Sequence, residues 1–292
     1  MGRIANSPRA DFRRPRRMRI EPFQASRVGK AEFSQSGAIM TGTPDPNSRT
    51  ALQDRRARHL LVWSGPLLFL FARPAFAVVA QGLVAAICAA RGSASAWRDA
   101  GAWFSVYGTL IDAGCLALLW WLTRKEGLSL RDLIGFERRK LGRDILLGLA
   151  LIPPGLLFIL GGIAASSLLI FGRVEGPQLS EPLPFIAALY AVLVWPLIWG
   201  FTEQMGYNGY LVPRLQVLAG RTWVAVAVVA FVWSFQHAVM PLSFDPAFML
   251  HRALSSIPNA LFMIVVYLRL RRLLPLAIAH WLMDGASTLS AF

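Results

Sequence analysis

The stretch GFTEQMGYNGYLVPR, residues 200–214, places the carboxylate of Glu203 directly after an uncharged segment, residues 185–200. Together with the residues that follow, this segment is long enough to cross a bilayer as a helix. Residues 207–211 remain mostly apolar and Pro213 is a natural helix end, so the helix is predicted to continue beyond residue 200. Glu203 then lies inside the membrane, where an ionisable group is costly and is functional by default.

The composition indicates a membrane protein with several spans. Hydrophobic residues make up 55% of the 292 residues and charged residues only 16%, whereas soluble domains carry about 25% charged residues. No soluble domain and no internal repeat is visible. The apolar residues form seven runs, at 60–90, 102–123, 145–171, from about 184 onward, 223–240, 253–268 and 273–289. The predicted fold class is all-α, a polytopic transmembrane bundle of about seven spans, with a polar site buried among the last four helices.

Residues 1–58 have a different character. They contain 13 Lys/Arg and 5 Asp/Glu and lack apolar periodicity. We therefore predict a disordered basic tail, followed by a transmembrane domain at 59–292. No secretory signal is recognised, because no apolar segment follows the arginine-rich part closely enough. Met1, Met18 and Met40 all remain candidate start residues.

The positive charges also predict the orientation of the chain. The net charge of +14 could suggest nucleic acid, but outside the tail the basic residues lie in short loops between apolar runs. This pattern orients membrane proteins, with Lys and Arg on the cytoplasmic side. The tail, the loop at 124–143 with its seven Lys/Arg, and the turns at 214–221 and 269–272 fall on one side of seven spans. We therefore predict a cytoplasmic N-terminus, a lipid bilayer as a partner and no nucleic acid.

Four polar residues after position 200 lie within predicted spans. At about 1.5 Å per helical residue, Glu203, His237 and His280 lie roughly 16, 24 and 12 Å from the basic boundary, in the middle of a bilayer of about 30 Å. His280 and Asp284 are four residues apart, so they share a helix face, and this carboxylate would fix the imidazole tautomer. Trp233 is related to His237 by the same spacing. These residues are predicted to face a common cavity.

Other polar residues in the runs have simpler explanations. Arg73 in the first run and Asp112 in the second are interpreted as helix-packing groups. Gln204 could be an ordinary interhelical hydrogen-bonding residue. Cys88 and Cys115 lie in apolar runs at no metal-ligand spacing, and they indicate no disulfide framework.

Three motifs on the late spans carry a resemblance. They read Glu203-Gln204-x-x-x-Asn208, Trp233-x-x-x-His237 and His280-x-x-x-Asp284. In this order they resemble the motifs of the CPBP family, which comprises CAAX prenyl-protease-like and bacteriocin-processing or immunity (Abi) membrane proteins. The family patterns are Glu-Glu-x-x-x-Arg, Phe-x-x-x-His and His-x-x-x-Asn/Asp. The resemblance covers about residues 120–290.

The resemblance implies an intramembrane endopeptidase that opens to the cytoplasmic side and cleaves a membrane-associated peptide or protein. It implies that Glu203 activates a water, that His237 contacts this water or the oxyanion, and that His280 with Asp284 forms a second polar pair. Trp233 would support them, and a bacterial inner membrane is the expected location. Members have been interpreted both as metal-dependent and as metal-free. The four polar side chains could hold a divalent ion such as zinc, but no His-Glu-x-x-His pair demands one.

Two positions depart from the family pattern. Gln204 stands where the family has a second Glu, and Asn208 stands where it has Arg. Both charges of an expected ion pair are absent together, and this matched change favours a modified site over a degenerate one. The missing Arg could also mean that a contact with a substrate carboxylate is lost. Three functions therefore stay open: an active peptidase, a catalytically inactive interaction or immunity protein, and, less favoured, a proton-coupled transporter.

Overall fold

The computed structural model describes residues 45–174 and 183–288. Within these ranges every regular element is a helix, so the predicted all-α fold is confirmed. In chain order the helices are α1 (Arg49–Ala57), α2 (Ser64–Ala90), α3 (Ala96–Ala102), α4 (Phe104–Lys125), α5 (Leu130–Ile134), a 3-10 turn (Arg138–Lys140), α6 (Leu141–Phe171), α7 (Phe185–Leu193), α8 (Trp195–Glu203), a π-helix (Gln204–Leu211), α9 (Val212–Ala219), α10 (Thr222–Ala238), α11 (Pro246–Leu270) and α12 (Leu274–Ser287).

Each of the seven apolar runs of the sequence forms a helix over most of its described residues. Five helical segments are long and apolar enough to cross a membrane, namely Ser64–Ala90, Phe104–Lys125, Leu130–Phe171, Phe185–Ala219 and Pro246–Leu270. The other two runs form α10, with 17 residues, and α12, with 14 residues. Large apolar side chains such as Phe71, Leu157 and Ile186 remain well exposed on the outside of the bundle. An exposed apolar surface of this kind is typical of a membrane-embedded protein.

The folded part begins earlier than predicted. Residues 1–44 lie outside the described residues, so their disorder stays a prediction. The boundary at residue 58 is wrong, because residues 49–57 form α1 and pack on the bundle. Leu52 is fully buried beside Val217, and Arg56 donates a hydrogen bond of 2.7 Å to the carbonyl of Val217. A single buried leucine in a charged nine-residue helix gives no clear periodic signal in the sequence.

The helix that carries Glu203 continues beyond residue 200, as predicted. The expected end at Pro213 is wrong, because Pro213 lies in the first turn of α9, where proline is tolerated, and the helical segment runs on to Ala219. Its winding changes directly after Glu203, where Gln204–Leu211 forms a π-helix whose eight residues are all buried. Segments of π-helix are rare and occur frequently at functional sites. A Cβ atom at Gly206 would lie 2.6 Å from the ring of Phe69, so this glycine permits the close approach of α2.

The loops gather at two ends of the bundle. At the basic end, Arg214 donates to both carboxylate oxygens of Glu126 at 2.6–2.9 Å. At the opposite end, the carbonyl of Leu242 accepts hydrogen bonds from the indole of Trp97 at 2.7 Å and from the amide of Gln81 at 2.9 Å. The basic loops therefore share one end, which is the arrangement that the charge pattern predicts.

Candidate active site

Glu203 ends α8 and is only 1% exposed. Its Oε2 accepts a hydrogen bond of 2.7 Å from the indole of Trp233, and its Oε1 accepts one of 2.6 Å from the amide of Gln236. The guanidinium Nε of Arg73 lies 3.4 Å from Oε1. A buried carboxylate is tolerable only when it is paired and hydrogen-bonded. Trp233 and Gln236 supply the hydrogen bonds, and the Arg73 guanidinium supplies the opposite charge.

Arg73 and Asp112 form a second buried charge pair beside Glu203. Arg73 Nη2 lies 2.8 Å from Asp112 Oδ1, although the N–H bonds are not aligned on the carboxylate, so the contact is an ion pair rather than a directed hydrogen bond. The guanidinium also lies 4.0 Å from the ring centre of Trp199. The interpretation of both residues as packing groups was therefore incomplete. Opposite charges in neighbouring spans could have paired Arg73 with Asp112, but no sequence signal connects Arg73 to Glu203.

His280 joins Glu203 to Asp284. Its Nε2 lies 3.7 Å from Glu203 Oε2 and 3.4 Å from Asp284 Oδ2. Its Nδ1 lies 3.1 Å from the amide nitrogen of Gln204. Because an amide NH2 can only donate, Nδ1 accepts and the proton of the neutral imidazole sits on Nε2, where it faces the two carboxylates. Gln204 therefore fixes the tautomer, a role that the sequence suggested for Asp284.

The two positions that depart from the family pattern contact each other. The amide of Asn208 donates a hydrogen bond of 2.7 Å to Gln204 Oε1, and both side chains are fully buried. This bond leaves the NH2 group of Gln204 directed at His280. A neutral pair has thus replaced the charged pair of the family pattern, and it is connected to the site.

Tyr207 contacts both of the neutral residues that donate hydrogen bonds to Glu203, namely Gln236 and Trp233. The hydroxyl of Tyr207 donates a hydrogen bond of 2.6 Å to Gln236 Oε1. The ring of Tyr207 is stacked on Trp233, with 4.9 Å between ring centres. Gln236 was not among the residues singled out from the sequence. Its position, an amide next to His237 in an otherwise apolar run, was the available signal.

His237 lies at the end of α10 and has no hydrogen bond or close ion pair with Glu203 in the part of the chain that the structure describes. It lines two adjoining cavities of about 220 and 540 Å³, and Asp284 lines both with it. His280 lines the larger one. The cavity wall is thus formed by the histidines and Asp284, while Glu203 lies directly behind His280 and Trp233.

The cavities approach the end of the bundle opposite the basic loops. The smaller cavity shares Gly101, Ala102 and Pro241 with a surface pocket of about 780 Å³, which is formed by α3 and the loop after α10. The sequence predicts both a cytoplasmic N-terminus and a site that opens to the cytoplasm. Because the cavities approach the end opposite the basic loops, these two predictions cannot both hold.

The donor set does not fit a zinc ion. Among residues 45–174 and 183–288, no three His, Cys, Asp or Glu side chains are placed to hold a metal ion, whereas catalytic zinc takes three protein ligands. Both oxygens of Glu203 already accept hydrogen bonds. Arg73, 3.4 Å away, would also repel a cation.

These observations define a polytopic helical membrane protein with a buried Glu–His–Asp site. A family model described as Type II CAAX prenyl endopeptidase Rce1-like matches residues 184–286, which span α7 to α12 and contain all three motifs. The match confirms, over these residues, the resemblance to CAAX prenyl-protease-like membrane proteins that the motifs indicate. No curated protein and no solved structure matches the chain.

Proposed function

We propose that the protein is an intramembrane endopeptidase in which Glu203 activates a water for hydrolysis of a peptide bond. The substrate is a peptide or protein in or at the membrane. One observation carries the proposal. The Glu203 carboxylate accepts two hydrogen bonds, lies 3.4 Å from Arg73, and lies 3.7 Å from the His280 imidazole, which lines a cavity of about 540 Å³.

The geometry suggests where the water binds. Glu203 Oε2 accepts one hydrogen bond, from Trp233, and a carboxylate oxygen can accept a second. A water about 2.8 Å from both Oε2 and His280 Nε2 is compatible with their separation. Glu203 takes one proton as the water oxygen attacks the carbonyl carbon, and it passes that proton to the amine as the C–N bond breaks.

The two histidines have different tasks in this reaction. The Nε2–H of His280, in the tautomer that Gln204 fixes, donates to the attacking oxygen. His237, across the cavity, donates to the oxygen of the substrate carbonyl as its negative charge develops. Gln204 and Asn208 support this chemistry without carrying charge, so their departure from the family pattern is compatible with activity.

A purified-enzyme assay tests the proposal. Quenched fluorescent peptides are incubated with the wild type, with Glu203→Gln and with Glu137→Gln, which changes a carboxylate that is half exposed at the basic end. A general base contributes about 10²- to 10⁴-fold, so Glu203→Gln should lose at least about 100-fold while Glu137→Gln retains activity. Equal turnover by the wild type and Glu203→Gln would overturn the proposal.

The second candidate is a catalytically inactive membrane interaction or immunity protein. It is favoured by the 1% exposure of Glu203, whose two oxygens are already bonded. In that case Glu203→Gln keeps the cellular phenotype, whereas deletion of α12 abolishes it.

A further inference from the structure

We propose that Arg252 binds a carboxylate of the peptide substrate, so that the site selects substrates with a negative charge near the cleaved bond. The inference rests on the proposed peptidase function but concerns recognition rather than chemistry. Arg252 belongs to none of the three motifs, and it lies in the second turn of α11.

Its position is the first argument. Arg252 lines both the 220 Å³ and the 540 Å³ cavities, and His237 and Asp284 line both with it. A ligand that reaches His237 through either cavity, or His280 through the larger one, therefore comes close to the guanidinium.

The hydrogen bonds of Arg252 are the second argument. Its Nε donates to the carbonyl of His237 at 3.4 Å, and its Nη2 donates to the carbonyl of Met240 at 2.9 Å. These two bonds hold the guanidinium plane against the end of α10. Its Nη1 has no acceptor in the described part of the chain, so the two N–H groups of Nη1 remain available to a ligand.

The third argument is charge. Each of three other buried or largely buried arginines has a carboxylate within 4 Å. These pairs are Arg73 with Asp112, Arg214 with Glu126 and Arg272 with Asp144.

Arg252 has no such carboxylate within 4 Å among the described residues. Asp284, which lines the same two cavities, lies beyond that distance, so it influences the charge of Arg252 without forming an ion pair with it. An unpaired cation inside a membrane-embedded bundle is costly, and a fixed planar guanidinium with free N–H groups matches a carboxylate in geometry and charge. A substrate carboxylate would supply the missing partner.

A binding titration tests this without requiring turnover. The full-length protein in detergent is titrated with N-acetyl-leucine, with N-acetyl-leucinamide and with the α-amide of N-acetyl-glutamate, and tryptophan fluorescence is followed because Trp195 and Trp199 line the smaller cavity. We expect at least one of the two acids to bind about tenfold or more tightly than the uncharged leucinamide. Preference for N-acetyl-leucine assigns the site to a C-terminal carboxylate, and preference for the glutamate derivative assigns it to a side chain.

The variants connect the preference to this residue. Arg252→Gln should reduce the difference between acid and amide to about twofold or less, Arg252→Lys should keep part of it, and Arg91→Gln, an exposed control, should keep all of it. Equal affinity of acids and amide for the wild type overturns the inference, and so does a preference that survives in a folded Arg252→Gln protein. The wild-type comparison needs no variant, so misfolding cannot obscure it. Loss of cleavage in Glu203→Gln together with equal acid and amide binding would leave the peptidase proposal intact.

Discussion

Arg73, Asp112 and Glu203 are three charged residues that the bundle buries in contact with one another. Arg73→Gln leaves two buried carboxylates without a cation, and removal of one partner from a buried pair typically costs about 3–5 kcal/mol. We expect a loss of that size in the free energy of unfolding in detergent. Arg58→Gln is the matched control, because Arg58 forms an exposed ion pair with Asp54 and such pairs contribute about 1 kcal/mol or less. Similar losses for the two variants would contradict the prediction.

The double variant Arg73→Gln/Asp112→Asn distinguishes the effect of Arg73 on stability from its effect on peptide cleavage. It removes both members of the pair, so it should be more stable than Arg73→Gln alone. Glu203 lacks its nearby cation in both variants, so both should cleave peptide more slowly than the wild type. Recovery of both stability and turnover in the double variant would show that Arg73 acts only through packing.

Metal removal gives a further prediction for the same carboxylate. Arg73 occupies the side of Glu203 Oε1, and no three ligands converge in the described residues. A catalytic zinc site takes three protein ligands, so a site without them has no zinc to lose, and activity should stay within about twofold after treatment with a strong zinc chelator and dialysis. A larger loss that added zinc restores would contradict this prediction.

The π-helix Gln204–Leu211 depends on its glycines for close packing. A Cβ at Gly206 would lie 2.6 Å from an aromatic carbon of Phe69, which is buried and packs edge-on against Tyr210. Gly206→Ala should therefore lower the free energy of unfolding by about 1–3 kcal/mol. Gly161→Ala is the control, because Gly161 lies inside α6 with no atom within 4 Å of its added Cβ, and alanine favours a helix interior by up to about 1 kcal/mol. Unfolding midpoints in detergent give both values.

The sequence predicts those parts of the fold that depend on local periodicity. The seven apolar runs became helices, and the four-residue spacing placed His280 next to Asp284 on α12. The π-helix could not be predicted, because an apolar run fixes a helix but not its hydrogen-bond register. The contact of Arg73 with Glu203 joins α2 to α8, and only tertiary packing decides it.

At the scale of the whole molecule, the basic loops and the surface pocket lie at opposite ends of the bundle. Asp144 pairs with Arg272 at the basic end of the bundle, where the other basic loops also lie. The pocket of about 780 Å³ lies at the other end, between α3 and the loop that contains Ser243. If positive charge marks the cytoplasmic side, a substrate reaches the site through this pocket from the non-cytoplasmic face.

Thiol labelling in intact cells tests this orientation. Ser243→Cys and Arg139→Cys place a thiol at exposed positions on the two ends, in a Cys88→Ala background that keeps the buried Cys115. A membrane-impermeant maleimide should label Ser243→Cys in intact cells and Arg139→Cys only after lysis, and the reverse pattern would invert the orientation. The bulky label at residue 243 should also slow peptide cleavage by the purified protein, because Ser243 lines the pocket that joins the site, whereas a label at residue 139 should leave cleavage unchanged. Unimpeded cleavage by the labelled Ser243→Cys protein would mean that the substrate enters laterally, through the 540 Å³ cavity between α6, α11 and α12.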